Sequence, residues 1–158
     1  MPPKLNSMRM LDQNKIAYAV MEYPDTLRDA VQVADAVGAP REIVYKTLVV
    51  QDIDKPKKPF LVMVPAECQL NLKKTARAAG VKKMRMASHN DAESMTGLKV
   101  GGISPLALTH KQWNVFIDQR AEGLEQIVIS AGQRGLQIRT SISELAILLK
   151  ARFVDVAV

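Results

Sequence analysis

Cysteine occurs once in this 158-residue chain, at Cys68, and histidine twice, at His89 and His110. An internal disulfide is thereby excluded, and no Cys/His cluster of the zinc type can be assembled, so no metal site is expected. Aromatic residues make up only 4% of the sequence, which argues against an RNA-binding platform built by stacking bases on Phe, Tyr or Trp. No apolar run reaches the roughly 18 residues a membrane span needs. The opening MPPKLNSMRM also lacks the apolar stretch of a signal peptide. The expectation is a cytoplasmic protein with no membrane partner. What the chain does contain is 47% apolar residues, enough for one domain around a single core. It also has 22 basic against 16 acidic residues, a formal net charge of +6. A surplus of that sign favours polyanionic partners such as nucleic acid.

Along the chain, helical and strand-like segments interleave without a repeat or a linker. Leu5, Met8 and Leu11 have helical spacing, with Asn6 or Ser7 placed to cap. Residues 16–23 are rich in β-formers and stop at Pro24 and Asp25, a strand followed by a turn. Thr26 is the expected cap of a helix ending at Gly38. Residues 46–53 and 60–64 read as a hairpin whose turn is Asp-Lys-Pro-Lys-Lys-Pro at 54–59. Asn71 precedes a short helix closed by Gly80, a strand over 81–86 follows, and Ser88 opens a helix closed by Gly97. Residues 101–105, Gly-Gly-Ile-Ser-Pro, suit neither helix nor central strand and predict a shaped loop. Two strands over 113–117 and 125–130, a third at 136–139 pairing with the second, and a helix opened by the Ser141/Glu144 capping box complete the pattern. A single α/β domain with a mixed, partly antiparallel sheet follows.

Few residues in this frame carry chemistry, and each has an ordinary alternative. Lys46 opens an apolar strand, where it either snorkels to water or enters a pocket. The glycine-rich loop a kinase would need upstream is missing. Gly101, Gly102, Ile103, Ser104 and Pro105 either let backbone N–H groups approach a ligand closely or form a plain turn. No phosphate-binding P-loop motif exists. Gly132 to Gly135 has G-x-x-G spacing but joins two strands, so a hairpin turn is expected. Lys73, Lys74, Arg77, Lys82, Lys83 and Arg85 lie within 17 residues without an acidic neighbour. They are either a phosphate-binding face or a solvated one. The two histidines have no partner at a telling spacing, and Cys68 sits beside Glu67, which would raise its pKa rather than activate it.

Taken in order, Tyr-Lys-Thr-Leu at 45–48, Leu-Asn-Leu-Lys-Lys at 70–74, Gly-Val-Lys-Lys at 80–83, Val-Gly-Gly-Ile-Ser-Pro at 100–105 and Ser-Ala-Gly-Gln-Arg-Gly-Leu at 130–136 resemble the YbaK/EbsC family of aminoacyl-tRNA deacylases over nearly the whole chain. The likeness is strongest to the YbaK branch, which clears Cys-tRNA(Pro). It implies one editing domain over residues 1–158, barrel-like, with helices around the sheet and no metal or cofactor. It implies catalytic roles for Lys46 and Gly101, and substrate contacts from Tyr23, Thr47, Gly102, Ile103, Ser104, Pro105 and Ser130. Lys73, Lys74, Lys82, Lys83 and Arg85 would then bind tRNA. Aminoacylated tRNA, tRNA(Pro) first, is the implied partner, with prolyl-tRNA synthetase a further one. In that branch the substrate's own thiol is thought to cleave the ester, which would explain a chain with no evident protein nucleophile. Water-mediated hydrolysis of an alanyl ester and a non-catalytic tRNA- or synthetase-binding module are the alternatives. The segment after Tyr23 is shorter than the family's, Ala131 and Gln137 stand at positions commonly glycine and acidic, and the basic run after the Ser-Pro loop is reduced to His110 and Lys111.

Overall fold

Strands and helices alternate in this computed structural model, which describes residues 4–158. Strand β1 (Tyr18–Glu22) pairs antiparallel with β7 (Leu136–Ser141), and β7 with β6 (Gln126–Ser130), giving a three-stranded sheet in the order β1-β7-β6. The second sheet has five strands in the order β4-β2-β3-β5-β8: β2 (Tyr45–Asp52), β3 (Lys55–Pro65), β4 (Met84–Met86), β5 (Val115–Asp118) and β8 (Arg152–Val154). Its β4-β2-β3 half is antiparallel and its β3-β5-β8 half parallel. Among the described residues a single parallel bridge, Val44 to Val128, ties the two sheets together. The barrel-like closure expected above is therefore corrected to two sheets joined at one point, because β2 carries full partners on only one flank.

Alternation divides the five-stranded sheet into two faces. Val49, Leu61, Met63 and Ile117 face the main core with β6, β7 and α5 (Ile142–Leu149). Val50, Val62, Val64 and Phe116 face a second core against Ala76 of α3 (Leu72–Ala79) and Val156. Ala34 of α2 (Ala30–Val37) packs against Val44 and Val128 at the junction of the sheets. The remaining helices, α1 (Asn6–Gln13) and α4 (His89–Thr96), cover the main core through Leu11 and Ala92.

The caps at Asn71, Ser88 and Ser141 form as expected, each side chain accepting a hydrogen bond from the backbone N–H three residues on. Two do not. Asp29 rather than Thr26 caps α2, its carboxylate accepting from Val31 N, so residues 26–28 stay outside the helix. In α1, Ser7 faces inward and donates through Oγ to the Ala131 carbonyl, 2.6 Å away, leaving the helix without a side-chain cap. The hairpin is also tighter than expected: β3 already begins at Lys55, and the register slips between Asp52↔Lys55 and Val50↔Phe60. That bulge absorbs Pro56 and Pro59, which cannot donate to a ladder. The strand expected over 81–86 shrinks to Met84–Met86, and β8, three residues long, was not foreseen.

Candidate active site

The site begins with a gap in hydrogen bonding. On its far flank β2 pairs with β4 only at residues 50–52. Ala87 N then donates to Val49 O at 3.0 Å, and no further bridge follows until Val44 meets Val128. Peptide groups of successive strand residues point to alternate flanks. The Thr47 N–H and C=O therefore point the same way as the Val49 carbonyl, into the gap. Val44 O, of the opposite parity, is taken by Ala66 N at the other flank, 2.8 Å away.

A cavity of about 200 Å³ fills this gap. Its walls are β2 itself, including Lys46, Thr47 and Leu48; Ala30 and Val33 of α2; Ala87 and Ala92; Val100, Gly101 and Ile103; and Ser130 with Gln137. Lys46 is half-buried, and among the described residues its ammonium makes no ion pair. Ser130 and Gln137 stand directly opposite each other in the β6–β7 register, and both are buried. Ser130 Oγ accepts from Gly132 N at 3.1 Å, which fixes its rotamer toward the following loop.

Residues 99–104 are pinned from several sides. Val100 N donates to Glu93 Oε2 at 2.8 Å, Val100 O accepts from Arg134 Nε at 2.7 Å, and Gly102 N donates to Lys99 O at 2.8 Å. Gly101 holds φ +91°, where a residue with a Cβ is strained. The Gly102 amide is spent on this turn, whereas those of Gly101 and Ile103, both cavity-lining residues, have no backbone acceptor among the described residues.

Lys46, Thr47, Gly101, Ile103 and Ser130 are thus brought together. Tyr23, Gly102, Ser104 and Pro105 lie outside the lining. Tyr23 is buried beside β1 with its N–H bonded to Gly135 O, and its hydroxyl has no partner among the described residues. Ser104 Oγ accepts from Leu106 N, capping the 3-10 turn Pro105–Ala107. Gly102, Ser104 and Pro105 thus shape the loop. The basic cluster also lies outside the lining: α3 packs on the sheet face opposite the main core, Lys74 pairs with Asp155 at 3.1 Å, and Arg85 Nε donates to Gln51 Oε1, while Lys73, Lys82 and Lys83 are exposed.

Four residues to which the sequence assigned no site role border this region: Arg28, His89, Gln137 and Arg134. The shortened segment after Tyr23 and the G-x-x-G loop were the signals for two of them. Cys68 is absent from the lining, and among the described residues no group of three or more His, Cys, Asp or Glu is placed to hold a metal ion. Nor is any helix long and apolar enough to cross a membrane.

A mixed α/β domain with a small cavity at an unpaired strand edge, one lysine beside it and a glycine loop across it is the class of protein in hand. Residues 25–148 match the aminoacyl-tRNA editing domain family, and the chain belongs to that family. It is 32% identical over 155 residues to EbsC of Enterococcus faecalis, whose name proposes Cys-tRNA(Pro)/Cys-tRNA(Cys) deacylase activity; the match covers 97% of this chain and 93% of that protein. A 27% match to a proline–tRNA ligase of Lactobacillus delbrueckii covers 67% of this chain and 18% of the ligase. Among solved structures, one described as a proposed trans-editing enzyme for prolyl tRNA synthetase superposes with TM-score 0.80 at 24% identity over 99% of this chain and 98% of its own. A hypothetical protein, APE2540, does so with TM-score 0.87 at 22% identity over 98% of this chain and all of its own. These two likenesses establish the fold.

Proposed function

We propose that this chain is a deacylase that removes cysteine from mischarged tRNA(Pro), with residues 1–158 acting as one editing domain. The observation that carries the reading is the unpaired edge of β2. There the Thr47 peptide and the amides of Gly101 and Ile103 are available to an aminoacyl group, and Lys46 stands beside them. The Thr47 carbonyl can accept from the substrate's α-ammonium, an N–H from the glycine loop can polarise the ester carbonyl, and Lys46 can hold the ribose or terminal phosphate.

In the thiol-assisted route the substrate sulfur attacks the ester carbon. The bond from that carbon to the ribose oxygen breaks, the oxygen takes the thiol proton, and a cyclic thioester and free tRNA leave. Tethering makes the attack intramolecular, so the protein need only hold the reacting atoms in place. The position of Cys68, away from the cavity, agrees with this division of labour. His89, exposed on the cavity rim, favours a second reading in which it draws a proton from an attacking water.

The test is a panel of Cys-, Ala-, Ser- and Pro-charged tRNA(Pro) incubated with purified protein. Fast release from Cys-tRNA(Pro) with Pro-tRNA(Pro) left intact is the expected result. Release of none of the four would make the chain a tRNA- or synthetase-binding module instead.

A further inference from the structure

Next to the cavity lies a second, polar basin. Arg28, His89 and Val100 border both, and Lys99, Arg134 and Glu93 complete the basin. Each acidic group there already holds a backbone amide. Glu93 accepts from Val100 N at 2.8 Å, and Asp29, also on the rim, accepts from Val31 N in capping α2. The basic groups differ: among the described residues Arg28, Lys99 and Arg134 make no ion pair, and Arg134 uses only Nε, on the Val100 carbonyl. That bond fixes the plane of the guanidinium and leaves its terminal nitrogens as a donor pair suited to a phosphate. The Glu93 carboxyl registers the surplus: the Val100 amide holds it below the usual carboxylate range, and Lys99, Arg134 and His89 push the same way against burial.

We infer that this basin binds the phosphodiester backbone of the single strand whose terminal ribose carries the ester. Arg28, Lys99 and Arg134 are the phosphate contacts. The inference rests on the deacylase reading, since a chain entering the cavity by its terminal ribose must lay the preceding phosphate on whatever adjoins the mouth. Arg28 and His89 make the basin that neighbour. The cluster on α3 and β4, with no residue in the cavity wall, then serves the more distant tRNA body.

The test uses the double variant Arg28→Gln/Lys99→Gln, with Lys82→Gln/Lys83→Gln for comparison; all four side chains are exposed and outside ion pairs. Two substrates are compared, Cys-tRNA(Pro) and the cysteinyl ester of adenosine, which has no phosphate. The ratio of kcat/KM for the first to that for the second should fall at least tenfold in Arg28→Gln/Lys99→Gln, and by less in the comparison variant. Binding of uncharged tRNA(Pro), measured against KCl concentration, should lose about 1.4 from its logarithmic salt slope, at about 0.7 per single-strand phosphate contact. An unchanged ratio, or an equal loss on both substrates, overturns the basin, as does an unchanged salt slope. If the wild-type protein cleaves neither ester, the deacylase reading has failed, and the tRNA salt slope still decides the basin by itself.

Discussion

A Cβ on Gly102 would stand 2.8 Å from the backbone nitrogen of Arg134 and 3.0 Å from the carbonyl carbon of Gln133. Two loops distant in sequence therefore meet backbone to backbone beside the cavity, and neither can give way as a side chain could. Gly102→Ala is expected to cost about 1–3 kcal/mol through overpacking and to lower deacylation at least tenfold by moving Gly101 and Ile103. Urea denaturation and single-turnover assays check both. A variant equal to wild type in the two measurements would show that the contact is soft.

Lys46→Ala should behave in the opposite way. The half-buried side chain makes no ion pair among the described residues, so the melting temperature should barely change. A charged hydrogen bond to substrate is worth about 1.5–3 kcal/mol, so kcat/KM should drop roughly 10- to 150-fold, with Lys46→Arg in between. Full activity in Lys46→Ala would remove this lysine from the site.

The nucleophile can be assigned by changing the substrate. If its thiol attacks, Cys-tRNA(Pro) should be cleaved far faster than Ser-tRNA(Pro), because a thiol with pKa near 8.5 is partly ionised at neutral pH and a hydroxyl is not. Cys68→Ala should leave the rate alone. Rapid cleavage of Ala-tRNA(Pro), whose side chain has no nucleophile, would transfer the chemistry to water and make His89→Ala the informative variant.

Acid sensitivity should centre on Asp118. This buried carboxylate accepts from the amides of Val156, Ala157 and Arg120 and from Arg120 Nη1. Burial pushes its carboxyl up, yet these hydrogen bonds together outweigh burial and hold it below the usual carboxylate range. A depressed folded-state pKa gives stability that is complete above the unfolded value, about 4, and lost as pH falls through the folded one. Asp118→Ala should therefore cost about 3 kcal/mol near neutrality, and the deficit should shrink below about pH 4. A constant deficit from pH 7 to pH 3 would contradict this account.

The parts of the fold visible in the sequence are those set by near neighbours. Asn71, Ser88 and Ser141 each cap with a donor three residues away, and the β6–β7 hairpin closes around one glycine-rich loop. What escaped depends on distant partners. Ser7 forgoes its own helix for the Ala131 carbonyl, 124 positions on, and Arg152 to Val154 become a strand only because β5 lies alongside. The same division runs through the site. Lys46, Thr47, Gly101, Ile103 and Ser130 line one cavity, whereas Gly102, Ser104 and Pro105 stand outside its lining in the adjoining loop. Arg28 and Arg134 were signalled only by the unusual segments that hold them, and His89 and Gln137 by nothing local.

The pairing of β1 constrains how the chain can be made as well as what it becomes. Among the described residues its sole strand partner is β7, and Thr140 Oγ1 reaches back 123 positions to the Ala17 carbonyl. Until the ribosome has released the chain beyond Ser141, residues 18–22 have no edge to join. Ser130 and Gln137, on the strands that complete that sheet, also form one wall of the cavity. Contacts of such high sequence separation form slowly, because loop closure precedes any gain from pairing. The cavity therefore forms only once residues 126–141 are free to pair, and not while the first strands are being made.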